Sequence, residues 1–121
     1  MTHQNQKIEY VIDASGKTLG RIASEAAKAL MGKTSADYTP HIRSVVRVKI
    51  VNASKLSMRS QKRTHKIYET YSGYPSGRRR ESFAALSARR GIGIPVRRAV
   101  ERMLPRNTFL KARMKNLEVT E

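Results

Sequence analysis

The sequence predicts a layered α/β fold with a mostly parallel sheet. Three observations carry that expectation. Ile8, Tyr10 and Ile12 alternate with Glu9 and Val11 and give way within a few residues to a stretch of helical period. A second alternating stretch, Val46, Val48 and Ile50, follows that helix. Helix-length apolar periods then fill the C-terminal part of the chain, so strands are separated by helices, as parallel pairing requires.

The first strand ends at Asp13, and Ser15-Gly16-Lys17 turns the chain. Thr18 is placed to cap a helix over about 19–31, where Leu19, Ile22, Ala23, Ala26 and Leu30 share one face opposite Arg21, Glu25 and Lys28. Gly32 stands where a helix terminator belongs. Residues 33–44 read as a loop, with Pro40 restricting Thr39. In the second strand Arg47 and Lys49 point away from Val46, Val48 and Ile50, so its far face meets solvent or an anion. Residues 54–65 carry scattered charge without a period, and Lys66 to Tyr71 reads as a short third strand.

Tyr71-Ser72-Gly73-Tyr74-Pro75-Ser76-Gly77 is an irregular loop that runs directly into Arg78-Arg79-Arg80. Ser82 is placed to cap a helix to about Arg90, broken by Gly91 and Gly93. Pro95 sits in the first turn of the next helix, whose stripe is Val96, Ala99, Val100, Met103 and Leu104 and whose outer face is Arg97, Arg98, Glu101 and Arg102. Pro105 stops it. Asn107 is placed to cap a last short helix with Leu110, Met114 and Leu117 toward the core. No repeat or linker divides the chain, so residues 1–121 are expected to form a single domain, with 1–7 as a short flexible tail.

Charge is the most informative quantity. Twenty-five Lys and Arg against nine Asp and Glu give a formal +16. A folding core does not need that excess, which raises self-repulsion and is usually compensated by a polyanion. Residues 1–37 carry net +1 and residues 38–121 net +15, with fourteen Arg to six Lys in the latter. The planar guanidinium favours bidentate phosphate contacts and stacking. With no cysteine there is neither a disulfide framework nor a thiolate metal site, which suits a reducing, cytoplasmic setting. Met1 to Lys7 is polar and does not read as a secretory or transit signal, and no apolar run approaches a membrane span.

Catalytic motifs fail on their own chemistry. Gly16-Lys17-Thr18 and Gly32-Lys33-Thr34 resemble the end of a phosphate-binding loop, but the glycine required five positions earlier is Val11 in one and Ala27 in the other. Gly16 and Gly20 are better explained by a tight turn and close packing of helix on sheet. Lys17 and Arg21 nonetheless flank a helix N-terminus, where one RNA phosphate can be held. His3, His41 and His65 lack metal-ligand spacing, no acidic cluster suits magnesium, and no Gly-x-Ser-x-Gly elbow supports a triad. The expectation is a protein with no catalytic residues, no metal, no cofactor and no small-molecule substrate.

The stronger candidates are nucleic-acid contacts. Tyr71 and Tyr74 beside Arg78, Arg79 and Arg80 offer stacking platforms and phosphate neutralisation, unless the tyrosines fold back onto the core. Arg98 and Arg102, with Arg97, are either a solvated helix face partly satisfied by Glu101 or part of the same surface. Arg106, Lys111, Arg113 and Lys115 cover a short helix that is polar on most sides, an arrangement better suited to RNA than to water. Two competing classes, a free nucleoid or RNA-chaperone module and a small basic enzyme acting on nucleic acid, share the charge; the enzyme lacks a metal cluster or general base.

Five ordered motifs carry a family resemblance. Asp13-Ala14-Ser15-Gly16-Lys17-Thr18-Leu19-Gly20-Arg21, Tyr38-Thr39-Pro40-His41, Val51-Asn52-Ala53, the 71–77 loop, and Ala99-Val100-Glu101-Arg102-Met103-Leu104-Pro105-Arg106-Asn107 followed by Leu117-Glu118-Val119 resemble the large-subunit ribosomal protein L-thirteen family, of bacterial type. The resemblance spans residues 8–119. It implies a three-layer α/β/α fold with a mostly parallel four-stranded sheet, direct binding to large-subunit ribosomal RNA, neighbouring ribosomal proteins, a role in subunit assembly, and no catalytic residues. Carried over by motif, the RNA-facing positions are Lys17, Arg21, Thr39, His41, Tyr74, Arg78, Arg79, Arg80, and Arg106 with Asn107 onward. Three departures stand out. Ile42-Arg43-Ser44-Val45 replaces an acidic, Gly-containing turn, Arg47 and Lys49 interrupt a strand that is usually apolar, and the tail after Val119 is short.

Overall fold

The computed structural model describes residues 8–34, 36 and 46–121. The tail at 1–7 and the positions Thr39, Pro40, His41 and 42–45 lie outside the described residues. The element order is β1 (Ile8–Asp13), α1 (Leu19–Met31), β2 (Val46–Val51), a single 3-10 turn at Ala53–Lys55, α2 (Ser60–His65), β3 (Ile67–Tyr71), β4 (Arg78–Ser82), α3 (Phe83–Arg90), α4 (Gly93–Met103), α5 (Leu110–Lys115) and β5 (Leu117–Val119).

The expected α/β class with a parallel sheet is what the chain forms. β1, β2 and β5 make a parallel sheet in the order β1-β2-β5, and β3 pairs with β4 as a separate antiparallel hairpin. Among the described residues the parallel sheet therefore has three strands where four were expected. The third strand of the sequence reading exists, at Ile67–Tyr71, but belongs to the hairpin. β4 escaped the sequence reading because Arg78–Ser82 contains no apolar residue, so no alternation marks it. α2 escaped for a related reason: it buries no residue and has no apolar stripe.

Alternation in β2 sorts its side chains cleanly. Val46, Val48 and Ile50 are buried beneath the helices, while Arg47 lies exposed on the other face. α1 joins that core through Leu19, Ile22, Leu30 and four alanines, Ala23, Ala26, Ala27 and Ala29. Small side chains allow close approach of α4, which contributes Val96 and Val100 to the same cluster. Each fully buried Ile or Leu here stabilises the fold by about 1.5–3 kcal/mol through its apolar area. Tyr68 of the hairpin and Phe83 and Leu86 of α3 join the cluster, so the hairpin is anchored to the body.

Local signals mostly act where expected. Gly32 closes α1 in the left-handed region at φ 83°, and Ser82 Oγ accepts from the Ala85 amide at 3.2 Å. Thr18 occupies the N-cap position of α1 but makes no side-chain cap hydrogen bond. Asn107 Oδ1 accepts from the Phe109 amide at 3.0 Å, capping the turn that leads into α5. Met103 was expected in the core stripe; it is 46% exposed, because α4 ends there and Leu104 takes the inward position. Arg97 is not on the solvated face. Its guanidinium donates to the carbonyls of Leu117 at 2.8 Å and Met114 at 3.2 Å, fastening the α5–β5 segment to α4.

Candidate nucleic-acid interface

Among the described residues, the expected RNA-facing positions fall into four places; Thr39 and His41 lie outside them. At the N-terminus of α1, Lys17 and Arg21 are exposed. Lys17 Nζ lies 3.5 Å from Glu25 Oε2, a solvent-exposed pair worth little in stability. The adjoining turn is not a phosphate cradle, because its amides are already engaged. The Ser15 amide donates to Asp13 Oδ1 at 2.9 Å, that of Gly16 to Lys55 O at 3.1 Å, and that of Lys17 to Ala14 O at 3.2 Å. The Ser15 bond, followed by that from Asn52 Nδ2, holds the Asp13 carboxyl below its ordinary pKa. The second Gly-Lys-Thr is a helix terminus, with the Gly32 and Lys33 amides donating to Ala29 O and Lys28 O. Close packing does not account for Gly20: a Cβ there would meet nothing within 4 Å.

The second place is the hairpin. Its loop is a tight turn with Gly73 at φ 89° and Ser76 at φ 61°. The Gly77 amide donates to Tyr74 O at 3.0 Å, and a Cβ at Gly77 would collide with the Ser72 hydroxyl. This geometry throws both tyrosines outward. Tyr71 is 69% exposed and Tyr74 74%, so neither folds back onto the core. Among the described residues the tyrosine buried in the core is Tyr68.

The three consecutive arginines are not equivalent. β-pairing sets Arg78 opposite Tyr71 and Arg80 opposite Glu69, all on one face, with Arg79 on the other. Arg78 Nη2 donates to Glu69 Oε1 at 2.7 Å and Arg80 Nε lies 3.0 Å from the same oxygen. The Arg78 hydrogen bond is the main cause of a depressed Glu69 pKa. Arg79 forms no ion pair among the described residues.

The third place was only half visible in the sequence. α4 brings Arg98 and Arg102 beside Lys62 of α2 and Lys66 just after it, around the ring of Tyr68. The Arg98 guanidinium lies 5.5 Å and the Lys66 ammonium 5.7 Å from the ring centroid. Burial raises the Tyr68 pKa against the opposing pull of Arg102 and Arg98. Arg59, Lys62, Arg63 and Lys66 recur at three- and four-residue spacing, a charge period that would have revealed α2 had charge been read as well as hydropathy.

The fourth place is the C-terminal helix. Arg106, Asn107, Lys111 and Lys115 are exposed there. Arg113 departs from the expectation of a solvent-facing contact. It is 3% exposed, its guanidinium stands 5.4 Å from the Phe109 ring centroid, and its Nε and Nη1 make no hydrogen bond among the described residues. One turn of a six-residue helix cannot present every basic residue outward.

The outer face of the sheet treats its cations differently. Arg47 is in register with Glu9, and Lys49 with Glu118, so each basic residue has an acidic cross-strand neighbour. Arg47 lies on the outward face as expected, and neither it nor Lys49 forms an ion pair among the described residues.

Comparison with known proteins agrees with the motifs. Residues 7–121 match the family model described as Ribosomal protein L13. The chain is 40% identical over 110 residues to the large ribosomal subunit protein uL13 of Alcanivorax borkumensis, covering 91% of this chain and 77% of the relative. It is 46% identical over 110 residues to the protein of the same name from Trichormus variabilis, covering 91% and 72%. To that of Chlamydia pneumoniae it is 40% identical over 118 residues, covering 98% and 78%. The chain belongs to the ribosomal protein L13 family.

Proposed function

We propose that the chain is a structural constituent of the large ribosomal subunit in the cytoplasm, that it binds large-subunit ribosomal RNA directly, and that it supports subunit assembly and translation. Its role is non-catalytic, and it takes no cofactor, metal or small-molecule substrate. The observation that carries the reading is unmatched positive charge. Arg79, Arg98, Arg102, Lys62 and Lys66 form no ion pair among the described residues, although the chain has carboxylates that engage other arginines. Cations left without carboxylates are stabilised when a phosphate backbone supplies the counter-charge.

The RNA-facing set is then Lys17, Arg21, Tyr71, Tyr74, Arg78, Arg79, Arg80, Arg98, Arg102, Arg106, Asn107, Lys111 and Lys115, extended by Lys62 and Lys66. Thr39 and His41 remain in the set on their motif. Arg113 acts from the interior, shaping α5. The balanced outer sheet face, where Val11 is 64% exposed between Glu9 and Asp13, suits neighbouring ribosomal proteins better than RNA. The reading of 1–121 as one domain, with 1–7 as a flexible tail, is supported by an apolar cluster among the described residues that includes residues of both the sheet and the hairpin.

Two measurements test the reading. In gradient fractionation of native lysate at high magnesium, the chain should migrate with the large subunit and resist a moderate salt wash. With purified components, the logarithm of affinity for large-subunit ribosomal RNA should fall with log salt by about 0.7–0.9 per phosphate contact. A chain that stays at the top of the gradient, or a slope near zero, would overturn it.

A further inference from the structure

We propose that the cleft between the first turn of α1, the α2–β3 junction and α4 receives one unstacked nucleotide of the bound RNA. Its base would lie on the apolar floor and its phosphate against the cationic rim. The inference rests on the reading that this chain binds ribosomal RNA, and it names what one part of that surface takes.

The cleft encloses about 220 Å3. That is smaller than the ~300–1,000 Å3 of pockets that hold drug-sized molecules, and it suits a single ring system with its phosphate at the mouth. Leu19, Gly20 and Ala99 form the floor, with Met103 at its edge, and none of them is charged. The rim is Lys62, Lys66, Arg98 and Arg102, and among the described residues no carboxylate lines the cleft. None of these four cations pairs with an acid among the described residues. A bare phosphate would use the rim and leave the floor wet; an apolar ligand would leave four like charges crowded together. A nucleotide satisfies both halves. Single-stranded or bulged RNA supplies such bases, splayed out of the helix and laid against aromatic rings and guanidinium planes. Arg98 is already set over the Tyr68 ring at 5.5 Å, so part of the rim is preorganised.

Two features of the chain itself agree. Gly20 is the second residue of α1, and a Cβ there would meet nothing within 4 Å. Packing among the described residues therefore does not require a glycine there, and the open space beside it belongs to the cleft. Met103 leaves an apolar side chain 46% exposed at the cleft edge, where a base would cover it.

Gly20→Leu tests this directly, because it fills the floor and changes no charge. The full chain should fold, and Gly20→Ala should melt no lower than the wild type. Gly20→Leu should weaken binding to large-subunit ribosomal RNA at least tenfold with an unchanged salt slope. Ultraviolet irradiation of the wild-type complex should also join a base to a peptide containing Tyr68 or Met103. Wild-type binding with Gly20→Leu within twofold of it would overturn the pocket alone. A wild type that does not bind this RNA would overturn the underlying reading and the pocket with it. Should Gly20→Leu fail to fold, the adduct decides: its presence supports the pocket and its absence overturns it.

Discussion

The outer face of the parallel sheet and the cleft beside Tyr68 both carry basic side chains, but they solve the electrostatic problem in opposite ways. On the sheet, Arg47 and Lys49 sit in register with Glu9 and Glu118, so a carboxylate neighbours each cation, although neither closes an ion pair among the described residues. In the cleft, Lys62, Lys66, Arg98 and Arg102 converge with no carboxylate among the lining residues. The hairpin is intermediate: Arg78 and Arg80 share Glu69, and Arg79 is left over. A run of positive residues therefore says little about an interface by itself. What matters is how much of the charge remains unanswered after folding.

The largest expected effect tests whether these regions are one body. Leu86 of α3 is 1% exposed in the cluster that joins hairpin to sheet. Leu86→Ala should destabilise the protein by about 2–5 kcal/mol through the lost burial and the cavity left behind. Thermal unfolding monitored from both halves should shift as one transition. Two transitions, only one of them displaced, would separate the regions.

The hairpin sharpens the comparison from its aromatic side. Tyr74→Ala should weaken ribosomal RNA binding by about 1–3 kcal/mol while leaving the salt slope and melting temperature nearly unchanged. Its 74% exposure is the reason stability should not move. A lowered melting temperature with unchanged binding would return Tyr74 to a structural role.

Glu69→Gln provides a prediction of opposite sign. The Arg78 hydrogen bond holds the Glu69 carboxyl below its ordinary pKa, so the anion is present at neutral pH and is lost only as pH falls below the usual carboxylate range. Removing it should release Arg78 and Arg80 and steepen the salt dependence of binding. A slope unchanged or shallower would mean that Glu69 already turns aside in the complex or helps to orient the arginines for it.

The smallest effect concerns Arg113, whose buried Nε and Nη1 lack partners among the described residues. Arg113→Met should leave stability equal or higher, since an unpaired buried cation is costly and a methionine fills similar space. Affinity for RNA should stay within about twofold, well below the tenfold that 1.4 kcal/mol represents. A loss comparable to that of an exposed arginine would restore Arg113 to the binding face.

Much of the fold was legible because hydropathy writes it. The alternation of Val46, Val48 and Ile50 and the helical spacing of Leu19, Ile22, Ala26 and Leu30 correspond to buried faces. Elements without a buried stripe were not legible. β4 is Arg78–Ser82, whose strand character comes from its partner across the hairpin, and α2 buries nothing. The candidate surface was legible in sign and approximate place, through Tyr74, Arg79, Arg98 and Arg102. Its partition was not. Whether an arginine meets Glu69, a backbone carbonyl as Arg97 does, or an apolar interior as Arg113 does depends on contacts between residues distant in sequence. Lys62 and Lys66 joined the surface only once folding carried them to α4.

The direct test of unanswered charge compares two double variants of equal formal change. Arg98→Gln with Arg102→Gln removes two cations from the cleft, and Arg47→Gln with Lys49→Gln removes two from the sheet. Affinity for large-subunit ribosomal RNA is measured across a salt series for each. The cleft variant should lower the slope of log affinity against log salt by about 0.7–0.9, one phosphate's worth, and the sheet variant should leave it nearly unchanged. Equal losses from both, or a larger loss from the sheet, would contradict the account.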